Sequence, residues 1–160
     1  MNPIQWLDNN LPDMPERTRK VIQFIFLWQE YNFFYNLQYE RIGKDSKRAL
    51  LLANDERAKD VYEQKKATFV ERFSQIHSNV KHNNPRKKLF TDIDSQNSVE
   101  FHAYGQDSLE NFLTVVYKIR CNFMHGDKLR NEDAEVDVDL IGWAYDCLSE
   151  LLYDINYFNI

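Results

Sequence analysis

Residues that break helices are scarce and unevenly placed in this chain of 160 residues. It has four prolines and four glycines, and three of the prolines lie within residues 1–15. This scarcity argues against an all-β protein full of tight turns and against low-complexity sequence. The length favours a single domain, residues 1–160, in which residues 1–15 form an extended lead-in.

The first helical segment has an unusual apolar pattern. It begins at Glu16, directly after Pro15, and is expected to run to about Tyr39. Apolar and aromatic residues cover nearly its whole circumference, which predicts burial on more than one side. Such a helix lies either at the centre of a bundle or with one side under a second chain.

A second helical stretch follows Gly43 and runs from about Asp45 to His77. Because roughly 30 residues are long for one globular helix, we expect a break near residues 53–55. Residues 78–107 show no sustained apolar period and are predicted to form a long loop.

Two more helices are predicted in the last third of the chain. Asp107 or Ser108 can cap the first of them, and Gly126 is placed to end it. After a polar, acidic connection over residues 131–139, apolar residues recur with the clearest helical spacing over residues 140–158. The predicted fold class is therefore all-α, a helical bundle of four to five helices.

The formal net charge of −5 hides an uneven distribution. Residues 1–88 carry 16 basic and 11 acidic groups, whereas residues 89–160 carry 4 basic and 14 acidic groups. Because phosphate binding depends on local Lys and Arg, the net charge neither supports nor excludes a nucleic-acid partner.

Several classes of protein find no support in the sequence. The longest apolar run, from Phe24 to Trp28, is far too short to cross a bilayer, and no signal peptide is visible. Two cysteines without a C-x-x-C pair form no disulfide framework. We therefore expect a cytoplasmic protein with no membrane partner, no metal site and no cofactor.

The segment from Tyr117 to Gly126 carries the most informative residues. Arg120 falls at the edge of the apolar face of its helix, and His125 lies about 140° round the helix from it. A buried Arg needs a partner anion, because a lone buried charge is costly. That anion is either a protein carboxylate, such as Asp146, or a phosphate.

Spacing alone says little, since Arg72 and His77 form a second Arg-x4-His pair. The copy at Arg120 differs in its context, because Asn122 and Gly126 accompany it on the penultimate helix. The pattern Tyr-x-x-Arg-x-Asn-x-x-His-Gly resembles the signature of HEPN domains (higher eukaryote and prokaryote nucleotide-binding). Their Arg is followed four to six residues later by His, late in an all-α bundle and before a final helix.

This resemblance implies a metal-independent endoribonuclease with RNA as its partner, of the kind found in toxin–antitoxin and phage-defence systems. It also implies a homodimer with a composite active site and, in a toxin–antitoxin pair, a cognate antitoxin protein. His125 is then the general base on a ribose 2′-OH, and Arg120 stabilises the phosphorane. Asn122 orients His125 or holds a phosphate oxygen. The expected products are a 2′,3′-cyclic phosphate and a 5′-hydroxyl.

Other cations are candidates for guiding RNA to this site, although a basic loop is more often simply solvated. They are Lys81, Arg86, Lys87, Lys88, Lys118, Lys128 and Arg130. The motif itself lies in the acidic half of the chain, where a strong RNA-binding site is unusual. We therefore expect either that the basic loop folds over the site, that dimerisation focuses the cations, or that the nuclease is weak or needs a partner.

Two alternatives from other functional classes accompany this hypothesis. One is a non-catalytic HEPN-like helical module that binds a nucleotide or a protein partner. The other is a plain helical scaffold in which Arg120 forms a buried ion pair with Asp146.

Overall fold

A computed structural model of the protein describes residues 9, 14–39, 43–81, 108–124 and 134–159. It describes their side chains except at residues 77–81, 122, 124 and 134–137. These parts of the chain contain five α-helices and no strand, which confirms the all-α prediction. The helices are α1 (Glu16–Tyr39), α2 (Asp45–Ala49), α3 (Glu56–Lys81), α4 (Leu109–Met124) and α5 (Ala134–Asp154), with a 3-10 turn at Leu51–Asn54 between α2 and α3.

The predicted break in the second helical stretch is confirmed. After α2 the chain makes the 3-10 turn, and Asp55 then caps α3 by accepting hydrogen bonds from the backbone N–H groups of Arg57 and Ala58, at 2.8 and 3.2 Å. Before α2, Gly43 has a φ of +59°, a conformation that favours glycine. Short-range capping and turn chemistry therefore divide residues 43–81 as the sequence suggested.

Two helix boundaries differ from the prediction. α3 continues to Lys81, so residues 78–81 are helical rather than part of a loop, because no helix breaker occurs before Pro85. α5 begins at Ala134, inside the segment expected to be a polar connection. The acidic residues there suit a helix start, because negative side chains stabilise the positive end of the helix dipole.

The C-terminal end of α5 also differs from the prediction, while the start of α4 agrees with it. α5 ends at Asp154, and Asn156 has a positive φ of 56° just beyond it. Ile155 and Phe158 therefore lie outside the helix, yet both are buried. At the start of α4, the Ser108 hydroxyl accepts a hydrogen bond from the backbone N–H of Asn111 at 3.2 Å, as expected for an N-cap.

The core lies around α5, which packs against α1, α3 and α4. Trp143 on α5 is 4% exposed, and its indole N–H donates to the carbonyl of Phe69 on α3 at 2.9 Å. At the surface of the same contact, Lys65 of α3 lies 2.6 Å from Glu150 and 2.8 Å from Asp154. α5 is therefore the central element against which α1, α3 and α4 are positioned.

α1 is buried on one side only, so it is not at the centre of the bundle. Its buried face, which includes Trp28 and Tyr31, packs on α5 and α2. Phe26, Phe33 and Leu37 lie on the other face and are 49%, 58% and 63% exposed. The alternative reading, that a second chain covers this side, stays a prediction.

No helix in the described ranges is both long and apolar enough to cross a membrane.

Candidate anion-binding site around Arg120

The side chain of Arg120 extends from α4 onto an aromatic residue of α1. Its guanidinium carbon lies 5.8 Å from the centre of the Trp28 ring, a distance at which cation and ring attract one another. One guanidinium nitrogen lies 3.9 Å from the sulfur of Cys121. The Trp28 ring is 4% exposed, so the guanidinium rests on a rigid, buried platform.

Within the parts of the chain that the structure describes, no carboxylate lies within 4.0 Å of the Arg120 guanidinium. The expected alternative partner, Asp146, instead pairs with Lys20 of α1. An Arg120–Asp146 ion pair is therefore not formed. The predicted edge position of Arg120 is consistent with its half-buried side chain.

Each of the two residues in this contact carries a buried N–H donor. The Nε of Arg120 and the indole nitrogen of Trp28 are both shielded from solvent and have no hydrogen-bond acceptor among the described residues. A buried donor without an acceptor costs about 1–3 kcal/mol, and more when it is charged. Among the described residues, this half-buried cation therefore has neither an anionic partner nor an acceptor for its Nε.

A carboxylate lies in the same cluster but is engaged elsewhere. Asp45, the first residue of α2, accepts a hydrogen bond from the hydroxyl of Tyr35 at 3.0 Å and lies 3.7 Å from Arg48. Burial is the largest cause that raises the pKa of Tyr35 and of Tyr117; Asp45 raises both further, and Arg120 partly offsets the increase. The two opposite charges thus act on the same pair of tyrosines without forming an ion pair with each other. We call Trp28, Tyr35, Asp45, Tyr117, Arg120 and Cys121 the Arg120 cluster.

The protonation of Tyr117 limits its chemical role. Burial, followed by the influence of Cys121 and Asp45, raises the pKa of Tyr117 to about 12. The phenol is therefore protonated at neutral pH and can donate a hydrogen bond to an anion, but it cannot act as a general base. The other hydroxyl of the cluster, Tyr35, also has a raised pKa, mainly through burial. Neither hydroxyl of the cluster therefore supplies a proton acceptor for catalysis.

The structure does not place all of the predicted site residues next to Arg120. Lys118 lies two positions before Arg120 on α4, and successive residues of a helix turn by about 100°, so Lys118 is on the other side of α4. Asn122 lies on α4, and Lys81 is the last residue of α3. For both residues the structure describes only the backbone. The remaining predicted site residues fall outside the described residues. These are His125, Lys128, Arg130, Arg86, Lys87 and Lys88.

Sequence reasoning found Arg120 but missed what surrounds it. The sequence places Trp28 and Tyr35 only within the apolar and aromatic pattern of the first helical segment, and it assigns no role to Asp45. The available signal was the combination of an Arg at an apolar helix edge with an excess of aromatic residues in α1. That combination permits a cation–aromatic contact but cannot say which ring the Arg meets.

A concave region lies away from the Arg120 cluster, where the start of α1 meets α3 and α5. It is a groove with a volume of about 400 Å³. Its cations are engaged across the helix contacts: Arg17 lies 2.9 Å from Asp139, and Lys20 pairs with Asp146. Because these charges neutralise one another, the groove is a seam between helices rather than a candidate phosphate site.

No group of three or more potential metal ligands occurs in the described part of the chain. Comparisons with models of protein families, with curated proteins and with solved structures found no match.

Proposed function

We propose that this protein is a metal-independent endoribonuclease of the HEPN type, in which Arg120 holds the scissile phosphate. The observation that carries the proposal is the half-buried Arg120 guanidinium on Trp28, whose Nε lacks an acceptor among the described residues. A phosphate oxygen supplies that acceptor and its charge. Since the platform is already in place, little reorganisation is needed when the negative charge develops.

The proposed reaction follows from the chemistry of the motif. His125 removes the proton from a ribose 2′-OH, and the resulting oxygen attacks the adjacent phosphorus. The P–O5′ bond then breaks, and a second acid protonates the leaving 5′-oxygen. The resemblance assigns this second role to a histidine of a second copy. Arg120 stabilises the phosphorane, Asn122 orients His125, and the products are a 2′,3′-cyclic phosphate and a 5′-hydroxyl.

No step of this reaction requires a metal ion, so cleavage is expected to continue in the presence of EDTA. The cations near the motif and those of residues 81–88 would then guide the RNA strand. In the biological setting that the resemblance implies, such an activity slows growth of the host cell and serves a toxin–antitoxin or phage-defence system.

The chain itself offers matched controls for the test. Removing the charge or the imidazole of the motif, with Arg120→Met or His125→Ala, is expected to reduce RNA cleavage roughly 100-fold or more. The same changes in the other Arg-x4-His pair, Arg72→Met and His77→Ala, are expected to leave cleavage close to wild type. The measurement is cleavage of a labelled RNA by purified protein with EDTA, with the cyclic phosphate identified by mass spectrometry.

Stability separates a chemical from a structural effect in this experiment. Because Arg120 has no carboxylate partner among the described residues, Arg120→Met is expected to change the free energy of unfolding by about 1 kcal/mol or less, far below the 3–5 kcal/mol of a broken buried ion pair. Intact RNA with the wild-type protein contradicts the nuclease proposal. So does an equal loss of cleavage in all four variants.

One observation favours a second candidate, a non-catalytic module that binds a nucleotide. Arg120 is the one cation among the six residues of the Arg120 cluster, because Arg48 beside it pairs with Asp45 and Lys118 is on the other side of α4. A single cation suits one phosphate group better than a strand of RNA. This candidate predicts that a nucleotide raises the melting temperature of the wild type but not of Arg120→Met, with no RNA cleaved by either.

A further inference from the structure

Tyr117 belongs to the motif, yet the proposed reaction gives it no role. It stands three positions before Arg120 and four before Cys121 on α4. Because residues three and four positions apart are neighbours on a helix surface, these three side chains share one face of α4. A ligand held by Arg120 therefore lies beside Tyr117.

The Trp28 ring holds both side chains in place. The centres of the Tyr117 and Trp28 rings lie 5.9 Å apart, with the ring planes at 61°. The guanidinium carbon of Arg120 lies 5.8 Å from the centre of the same indole. Tyr117 and Arg120 are half-buried, so part of each stays accessible to a ligand, whereas Trp28 is buried. The buried indole thus fixes two accessible side chains side by side.

Tyr35 and Tyr117 carry the two hydroxyls of the cluster, and their protons are used differently. The Tyr35 hydroxyl has a single proton and two oxygen acceptors beside it, the Oδ1 atoms of Asn32 and Asp45. That proton is therefore committed within the protein. The Tyr117 hydroxyl interacts with the sulfur of Cys121, which is a weak acceptor. A phosphate oxygen is a stronger acceptor and readily replaces the sulfur.

The proton of Tyr117 is available throughout the neutral pH range. Burial raises the pKa of Tyr117 to about 12, and the positive charge of Arg120 offsets only part of this rise. The phenol is thus a neutral donor beside a charged one, and hydrogen bonds to an anion are stronger than those between neutral groups. Two such neighbouring donors suit one phosphate group, which offers several acceptor oxygens.

We propose that Tyr117 is a phosphate-binding residue, whose hydroxyl donates a hydrogen bond to the phosphate group that Arg120 holds. This role rests on the proposed function, because it concerns the same phosphate, and it adds a second donor to the site. Tyr117 keeps its proton throughout the reaction. Its hydrogen bond strengthens as negative charge develops on the oxygens of the phosphorane.

Tyr117→Phe tests this role, because it removes the hydroxyl and keeps the ring that contacts Trp28. We expect kcat/KM for cleavage of a labelled RNA in EDTA to fall roughly tenfold, the effect of one lost hydrogen bond to a charged group. Tyr153→Phe is the matched control, because it removes a hydroxyl from an exposed position of α5 and should cleave like the wild type. Circular dichroism confirms that both variants fold.

A double-mutant cycle tests whether Tyr117 and Arg120 hold the same phosphate. When two donors act on one group, the loss caused by removing one depends on the presence of the other. Tyr117→Phe is therefore expected to lower kcat/KM roughly threefold or less in an Arg120→Lys background, against roughly tenfold in the wild type. A residue that only supports the fold lowers kcat/KM by the same factor in both backgrounds, and that result overturns the proposal.

Binding separates the role of Tyr117 from the ribonuclease reaction. The same RNA with 2′-O-methyl groups keeps its phosphates but cannot be cleaved, because the attacking hydroxyl is blocked. In fluorescence anisotropy at low salt, it should bind the wild type and Tyr153→Phe alike, and Tyr117→Phe roughly threefold or more weakly.

The outcomes of the two measurements distinguish the two proposals. If the wild type leaves RNA intact but the binding difference is present, the nuclease reaction is overturned and the phosphate contact of Tyr117 is supported. Equal cleavage by Tyr117→Phe and the wild type overturns the contact, and so does equal binding of the methylated RNA. A wild type that neither cleaves nor binds RNA overturns both proposals.

Discussion

Tyr31 illustrates how one polar atom is accommodated in an aromatic core. The side chain is 1% exposed, and its hydroxyl donates a hydrogen bond of 2.6 Å to the carbonyl of Ala49 at the end of α2. Burial raises the pKa of this phenol well above its ordinary value. The sequence marks Tyr31 as a core position, but the identity of its acceptor depends on where α2 packs.

The conservative change Tyr31→Phe is therefore expected to cost about 1–3 kcal/mol, because it leaves the buried carbonyl of Ala49 without its donor. Tyr153→Phe, at an exposed position of α5, removes the same hydroxyl and should change stability by less than about 0.5 kcal/mol. Unfolding by urea at neutral pH measures both. Equal effects of the two substitutions would contradict the assigned hydrogen bond.

Interactions between residues close in the sequence set most of the helix boundaries, and a comparison of Gly43 with Gly142 illustrates this. Gly43 holds the turn before α2 in a left-handed conformation, with φ at +59°. Gly142 instead lies within α5, where an added methyl group would meet Lys20 at an ordinary contact distance of 3.8 Å. The first glycine is needed for its backbone conformation and the second is not.

Opposite effects are therefore expected from the same substitution at the two glycines. Gly43→Ala should lower the free energy of unfolding by about 1–2 kcal/mol, since the left-handed conformation is strained for alanine. Gly142→Ala should raise it by about 0.4–1 kcal/mol, because alanine loses less conformational entropy in a helix. Thermal or urea unfolding of the two variants distinguishes them, and a shift of the same sign in both would refute this account.

At the scale of the whole molecule, burial of tyrosines makes the fold sensitive to alkaline pH. Burial is the largest cause that raises the pKa of Tyr31, Tyr35 and Tyr157 above the ordinary value. Hydrogen bonds to Asp154 and then to Glu150 raise the pKa of Lys65 as well. In each case the folded state holds its proton more tightly than the unfolded chain does.

The sign of the pH dependence follows from these shifts. A group whose pKa is raised on folding contributes its full stability below the unfolded pKa, about 10 for Tyr, and loses it as pH rises towards the folded pKa. We expect a nearly constant free energy of unfolding from pH 7 to 9 for these groups. Above pH 10 it should fall by about 1 kcal/mol per pH unit for each of the three buried tyrosines, and by less for Lys65, whose ion pairs are partly screened by solvent. Urea unfolding combined with ultraviolet titration checks this; ionisation of all nine tyrosines near pH 10 in the folded state would contradict it.

Within the Arg120 cluster, the sequence identified Arg120 but did not predict the residues assembled around it. Arg120 was identified from its place at the edge of an apolar helix face, and its half-buried side chain agrees with that place. Its contact with Trp28, and the pairing of Asp146 with Lys20 instead, were not predictable. Helical periodicity states which face of a helix is apolar, but several faces of similar polarity compete for the same neighbours.

The sequence by itself determined that this protein is helical, and where most of its helices begin and end. Those properties depend on interactions between residues a few positions apart, such as the cap at Asp55 and the turn at Gly43. Only the tertiary structure decided that Arg120 lies on an aromatic platform with no carboxylate partner among the described residues, and that Phe33 and Leu37 of α1 are exposed. Both depend on which helix surfaces meet, and that choice is made by the packing of the whole bundle at once.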